Sequence, residues 1–410
     1  MMDCLKNMKS RIKVLTFHQM DPLGTKIGGT ETFVKDFIKY APEDFDIEFV
    51  GITSNKGERT IGRWHEVKLY DKKFRFMPTM FVHNENLRTI IPLTLKFTFS
   101  IFKHRHKISL ENRILEFHRI EPSFPCRNMR GKKVLFLHGH MADLYNPLAE
   151  ARWAKFPGLY FYLEKRQINQ FKKIFIVRED GVKFYQKRYP ALKKRISFIP
   201  TWVDVEMFHP YTEAEREKAR SRFIKEKAFS THDKLILFAG RLESQKDPLL
   251  LIDTFFYVQK MIPNARLVMA GTGVMKNRIE QKNREYDLSR YVRLLGAVPQ
   301  SEIAELMRIS DVFLLTSAFE GMPRSVLEAL ACGLPVVSPD VGEVRRVVKN
   351  GVSGIICTQR SPEMLGDVVI TVLSSNTFLP DNCARAIQDY TATRILGDIY
   401  QFYYQLSGAK

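Results

Sequence analysis

Residues Asp311 to Asp340 constrain the fold more than any other stretch of this 410-residue chain. Asp311-Val-Phe-Leu-Leu-Thr316 is a short apolar run bounded by turn residues, as expected of a strand covered on both faces. Ala318-Phe-Glu-Gly-Met-Pro-Arg-Ser325 follows as a loop, and Pro323 suits a first helical turn, where its missing N–H costs nothing. Gly333 and Pro335 then stop the helix, and Val336-Val337 begins another strand. Strand, loop, helix, strand is the unit of a parallel sheet. The loop therefore opens at the carboxyl end of the strands, where open α/β sheets bind ligands. Two carboxylates, Glu320 and Glu328, flank the helix start, at most about 12 Å apart along its axis. A nucleotide-sugar has that span, and free N–H groups at a helix start suit its pyrophosphate.

The same alternation recurs along the chain. Strands are expected at Ile12–Phe17, Ile47–Gly51, Lys133–Leu137, Ile174–Val177 and Ile196–Ile199, with a first helix from Glu31 to Tyr40. A second series follows: strands Lys234–Ala239, Ala265–Ala270, Val292–Leu295 and Asp311–Thr316, with helices Thr212–Lys227, Asp247–Met261 and Gln300–Arg308 between them. A chain of this length exceeds one typical core, so two domains are expected. The turn-rich Pro200–Pro210 marks the crossing, placing the domains at 1–208 and 209–390, with a terminal helix from Thr391 to Leu406.

Several loops carry candidate chemistry. Gly240-Arg-Leu-Glu-Ser-Gln-Lys-Asp247 follows a strand and brings Arg241 and Lys246 to the sheet's carboxyl end. Two cations there can neutralise the charge that builds on a departing nucleoside diphosphate. Gly28 and Gly29 precede the first helix and allow a phosphate to approach its N-terminus; Gly-Gly before a helix is equally a plain turn. His138 ends the strand Lys133–Leu137, and this strand-end position favours it over His140. Gly271-Thr-Gly273 follows another strand and is either a nucleotide-approach loop or a tight turn. No Asp-x-Asp suited to a metal is present.

Phe319-Glu-Gly-Met-Pro323 with Glu328-Ala-Leu-Ala-Cys-Gly-Leu-Pro-Val-Val337 resembles the donor-site signature of retaining GT-B glycosyltransferases of family 4, the glycosyl transferases group 1. The resemblance spans nearly the whole chain and is most specific from about 235 to 357. It implies an α/β chain of two Rossmann-like, doubly wound parallel-sheet domains facing a central cleft. The terminal helix, about 391–410, is then expected to pack back on the N-terminal, acceptor-binding domain. It further implies that Glu320 binds and polarises the sugar, Glu328 holds the ribose, Arg241 and Lys246 clamp the leaving diphosphate, and His138 contacts the donor sugar. Gly28, Gly29, Gly240, Gly271, Gly273, Gly321, Met322 and Pro323 would line the donor, and Val292 and Arg293 would fall at the base. Hexosyl transfer with retention, without cofactor or obligatory metal, is the implied activity. Arg178 and Thr201-Trp202 depart from the family's usual Ser and Asn-Gly, which leaves the acceptor side open.

Charge narrows the partners. The net charge is +19, and residues 1–208 hold 38 Lys and Arg against 22 Asp and Glu, whereas the rest holds 26 against 23. Positions 71–113 and 151–195 interleave that charge with Phe74, Phe76, Phe97, Phe99 and Phe102, and with Trp153, Phe156, Tyr160, Phe161 and Tyr162. Such a half fits an anionic membrane surface or a negatively charged acceptor, or is a solvated face. Nucleic acid satisfies the charge but has no supporting motif. The expected partners are a nucleotide-sugar donor and a saccharide or lipid-linked saccharide acceptor, in a cell-surface polysaccharide or glycolipid route. Five scattered cysteines, no apolar leader in Met1–Arg11 and an apolar run broken at Lys96 fit a cytoplasmic protein, peripheral at the inner face of a membrane. A sugar-nucleotide epimerase of the same fold and a non-catalytic binder of anionic polymers are the competing readings.

Overall fold

The structure, a computed structural model, describes residues 11–24, 28–83, 90–109, 112–138 and 156–408. It divides into one unit that runs to Ile199 and resumes at Thr393, and a second from Pro200 to Ala392.

The first unit is built on an eight-stranded sheet: β1 (Ile12–Phe17), β2 (Phe45–Thr53), β3 (His65–Leu69), β4 (Lys72–Phe81), β5 (Ile114–Phe117), β6 (Lys132–Leu137), β7 (Phe171–Ile176) and β8 (Ile196–Phe198). Their order is β3-β4-β2-β1-β5-β6-β7-β8. Among the described residues, only the β3–β4 hairpin is antiparallel. Leu15, Phe17, Leu115 and Phe117 face one core cluster, which includes Phe97 and Ile101 of the helix Leu93–His104. Alternate residues turn to the other face, where Tyr400, Tyr403 and Tyr404 of the helix Ala392–Ser407 lie. Tyr403 Oη donates to Glu116 Oε2 at 2.6 Å, Tyr400 Oη to the Phe37 carbonyl at 2.6 Å, and Tyr404 Oη to Asp44 Oδ1 at 2.7 Å.

The second unit holds six parallel strands, β9 (Lys234–Ala239), β10 (Ala265–Ala270), β11 (Val292–Gly296), β12 (Val312–Leu314), β13 (Val336–Pro339) and β14 (Gly354–Cys357), in the order β11-β10-β9-β12-β13-β14. Leu235 and Leu237 enter one buried cluster, Ile236 and Phe238 another. Both faces are covered, which is why these strands read as unbroken apolar runs. These two sheets, the first parallel but for its β3–β4 hairpin and the second wholly parallel among the described residues, make the pair of Rossmann-like units of a GT-B fold.

The partition falls at 199/200 rather than 208/209, because Val203 and Phe208 sit in the core of the second unit and Val203 bridges Thr391. Phe74 and Phe76, grouped above with an exposed basic surface, are buried: β4 alternates them with outward Lys73 and Arg75. Phe97, Tyr160 and Phe161 are buried too, while Phe99, Phe102, Phe156 and Tyr162 are exposed. Trp153 and His140 lie outside the described residues. The four described cysteines are free and buried, and burial pushes the Cys126, Cys332 and Cys383 thiols up to about 12.

Candidate active site

In the second unit the strand order reverses beside β9: β10 and β11 lie on one side of it, β12 to β14 on the other. The loops after β9 and β12 therefore flank a topological switch point, the usual ligand position of an open α/β sheet. Those two loops are laced together. The Ala318 N–H donates to the Gln245 carbonyl at 2.8 Å, and Gln245 Nε2 to the Phe319 carbonyl at 3.1 Å. Thr316 Oγ1 donates to the Lys246 and Asp247 carbonyls at 2.9 and 3.1 Å. Asp247 then caps the helix Pro248–Met261 from a left-handed backbone (φ 45°), accepting from the Leu250 N–H at 3.2 Å. Arg360 holds the same corner through Asp247 Oδ2 and the Thr316 carbonyl.

That lacing brings Lys246 and Glu320 together at 2.6 Å, with side chains 14% and 8% exposed. Removing either partner from a pair so shielded would leave a charge poorly solvated. Glu320 thus stands in the loop, held by Lys246. Glu328 sits one turn inside the helix Arg324–Ala331, buried, with Arg324 Nε 3.4 Å from its Oε1. Pro323 is one position earlier than expected. It is the N-cap (φ −68°, ψ 115°), and the helix starts at Arg324. Met322 packs into the core cluster with Val326 and Leu327, so its side chain does not face a ligand.

The glycines serve loop-to-loop approach. Gly271 has φ +145°, and a Cβ there would lie 1.8 Å from the Gly240 carbonyl oxygen. A Cβ at Gly273 would lie 2.3 Å from the Leu242 carbonyl oxygen. Gly240 and Leu242 donate N–H groups to the Ala270 and Thr272 carbonyls at 3.0 and 2.9 Å. The Gly-x-Gly turn thus fixes the loop that carries Lys246, and that contact alone requires both glycines. Gly342, which sequence reading missed, does the same for Glu320: at φ +54° its Cβ would meet the Gly321 carbonyl oxygen at 2.0 Å.

Two expected contacts look different. Arg241 is 58% exposed and pairs with Glu243 at 2.7 Å, so it is not fixed beside Lys246 as a preset clamp. The Arg293 guanidinium is engaged by backbone carbonyls. Its Nη1 donates to the Ser289, Arg290 and Val292 carbonyls and its Nη2 to that of Lys227, which ties β11 to the end of the helix Glu213–Lys227.

In the first unit the order reverses beside β1, between β2 and β5. Gly28 is the N-cap and Gly29 the first residue of the helix Gly29–Lys39. The buried Glu31 carboxylate folds back over Gly28, where a Cβ would lie 2.3 Å from Oε2. A phosphate at this helix start would have to displace that carboxylate. His138 follows β6 and is half-buried, against Phe33 at 4.8 Å between ring centroids. Burial, and then the neighbouring imidazoles of His118 and His18, hold it well below the ordinary histidine value. His18 and His118, also missed, directly follow β1 and β5, the same signal that singled out His138. Among the described residues, no group of three or more His, Cys, Asp or Glu could hold a metal ion, and no helix is long and apolar enough to cross a membrane.

Residues 219–390 match the family described as glycosyl transferases group 1, so this part of the chain carries that family's domain. A D-inositol 3-phosphate glycosyltransferase of Corynebacterium urealyticum is 27% identical over 57% of this chain and 57% of its own length. The UDP-Gal:alpha-D-GlcNAc-diphosphoundecaprenol alpha-1,3-galactosyltransferase of Escherichia coli is 28% identical over 47% of this chain and 49% of its own. The chain thus spans about half the length of these curated relatives. Among solved structures, a sucrose-phosphate synthase from Thermosynechococcus elongatus aligns with a TM-score of 0.79 at 16% identity, covering 98% of this chain and 100% of that one. Anabaena HepE in complex with UDP and glucose aligns with a TM-score of 0.71 at 16% identity, covering 96% and 100%.

Proposed function

We propose that this chain, whose second unit carries a group 1 glycosyltransferase domain, transfers a hexosyl group from a nucleotide-sugar to a saccharide or lipid-linked saccharide acceptor, with retention of configuration. The observation that carries the proposal is the shielded Lys246–Glu320 pair at the switch point, inside the matched segment. Lys246 is the group placed to take up negative charge on the departing diphosphate, and Glu320 the carboxylate placed to orient the sugar. Glu328, one turn into its helix, is the carboxylate that accepts from the ribose hydroxyls. Arg241, exposed and paired with Glu243, is placed to exchange that carboxylate for the diphosphate when donor binds. The relatives' names fit this substrate class, since one acts on a UDP-galactose donor and a lipid-diphosphate acceptor. No cofactor or obligatory metal enters the scheme; activity unchanged by a chelator is the expected result. Incubating the protein with radiolabelled nucleotide-sugars and lipid-extracted acceptors tests the reading. Transfer by wild type that is lost in Glu320→Gln supports it. Hydrolysis or epimerisation without acceptor dependence rejects it. Retention is read from the anomeric coupling of the product.

A membrane acceptor is favoured by the first unit's surface. The helix Leu93–His104 exposes Leu95, Phe99 and Phe102, which share one face, beside Lys103, Arg105 and Lys107. The helix Pro157–Gln167 likewise exposes Leu159 and Tyr162 beside Lys165 and Arg166. Apolar side chains ringed by cations suit an anionic lipid interface. Co-flotation with phosphatidylglycerol vesicles, weakened by Phe99→Glu, is the expected result; equal flotation of both proteins rejects this surface.

A further inference from the structure

Three adjacent strands of the first unit, β1, β5 and β6, each end in a histidine at the same edge of the sheet: His18, His118 and His138. Register places His18 opposite His118, next after the Phe17–Phe117 pair, whereas His138 stands two residues beyond the position opposite His118. Glu116 and His118 are two residues apart and so project from one face. That face is closed by Phe33, Phe136 and Tyr403. His118 Nε2 lies 2.9 Å from Glu116 Oε1, and His118 Nδ1 lies 2.8 Å from His138 Nε2. The two imidazoles are within 20° of coplanar. Glu116 and His118 are buried, and the Thr16 and Tyr403 hydroxyls both donate to the same carboxylate, at 3.3 and 2.6 Å.

The directions of these hydrogen bonds follow from the Glu116 carboxylate at which they end. Glu116 is an acceptor for three donors, so His118 Nε2 carries a hydrogen and donates it. A neutral His118 then has only a lone pair on Nδ1, which obliges His138 Nε2 to carry its hydrogen and donate it. His138 Nδ1 is left as a bare acceptor, without a hydrogen-bond partner among the described residues. We propose that Glu116 and His118 are positioning residues that lock His138 as its Nε2–H tautomer, so that His138 Nδ1 accepts a hydrogen bond from a sugar hydroxyl. The lowered proton affinity of His138 agrees, because a protonated ring could not accept. Glu31, His18 and Arg119 also act on this ring electrostatically: Glu31 favours its charged form, His18 and Arg119 its neutral one. The role of the sugar rests on the function proposed above; the tautomer does not.

Nitrogen-15 spectra of the imidazoles in the full chain, without ligand, test the lock directly. His138 is expected to show a protonated Nε2 and a pyridine-type Nδ1; a protonated Nδ1 in the wild type overturns the proposal. His118→Phe keeps a ring against Phe136 but removes both nitrogens. It should release the tautomer of His138 into a mixture and lower kcat/KM by about tenfold, the scale of a lost orienting partner. His118→Gln, whose amide can both donate to Glu116 and accept from His138, should restore the tautomer and most of the rate. An unchanged His138 spectrum in His118→Phe, or an altered spectrum with unaltered kcat/KM, refutes the positioning role. If no nucleotide-sugar is turned over by the wild type while the spectra behave as stated, the functional reading fails and the relay stands.

Discussion

The Lys246–Glu320 pair yields a prediction about stability as well as activity. Its side chains are 14% and 8% exposed and 2.6 Å apart, so each neutralises a charge that has little water around it. Lys246→Met leaves the Glu320 carboxylate without its closest cation, and Glu320→Leu leaves the Lys246 ammonium in the same condition. Each should destabilise the unit Pro200–Ala392 by about 3 kcal/mol, the lower end of the cost of breaking a buried pair. For a domain of this size that is a fall in Tm of about 6–12 °C. The double variant removes both charges and substitutes apolar side chains of similar bulk. It should be more stable than either single variant, because the desolvation penalty disappears with the pair. Calorimetric unfolding of the four proteins gives the coupling, and all three variants should lose glycosyl transfer. Additive losses in the double variant would refute the claim that the two charges depend on each other.

Other expectations follow from the same geometry. Gly271→Ala forces a methyl group to within 1.8 Å of the Gly240 carbonyl oxygen at φ +145°, and should cost about 3 kcal/mol and displace the Lys246 loop, seen as lowered Tm and weakened nucleotide binding. Tyr403→Phe removes a 2.6 Å donor from the buried Glu116 and should destabilise the first unit by about 1–3 kcal/mol in urea titrations. Glu164 is buried, and burial raises its carboxyl above the ordinary 4.5 although Tyr185 and Tyr189 both donate to it at 2.7 Å. The folded chain therefore holds a proton there that the unfolded chain has released, and this group's contribution to stability falls as pH rises from 4.5 through the raised value. Glu164→Gln should flatten that slope in stability measured from pH 4 to 8; an unchanged slope contradicts it.

The second unit was legible in its sequence because both sheet faces are buried, so strands such as Lys234–Ala239 and Ala265–Ala270 read as apolar runs with sharp ends. The first unit was less so. β4 alternates Lys and Arg with Phe, a half-exposed pattern that a charge count conceals, and β5 is only four residues long. Of the candidate site, Lys246 and Glu320 converge as their strand-end positions suggest. Arg293 lies on β11, as its sequence position suggests, and its guanidinium reaches sideways to backbone carbonyls, a direction no spacing rule encodes. Gly342 and the histidine row were invisible for a related reason. Their meaning depends on which strands are neighbours, and β1 pairs with β5 although β2, β3 and β4 lie between them in sequence.

The most direct test of the central claim is thermal unfolding of the wild type and Lys246→Ala across UDP, GDP and ADP and their hexose conjugates. At a hundredfold excess over Kd, the true donor should stabilise the wild type by about 2.7 kcal/mol and leave Lys246→Ala nearly unmoved. No stabilisation by any nucleotide, or the same stabilisation in both proteins, would contradict a donor site built on Lys246 and Glu320.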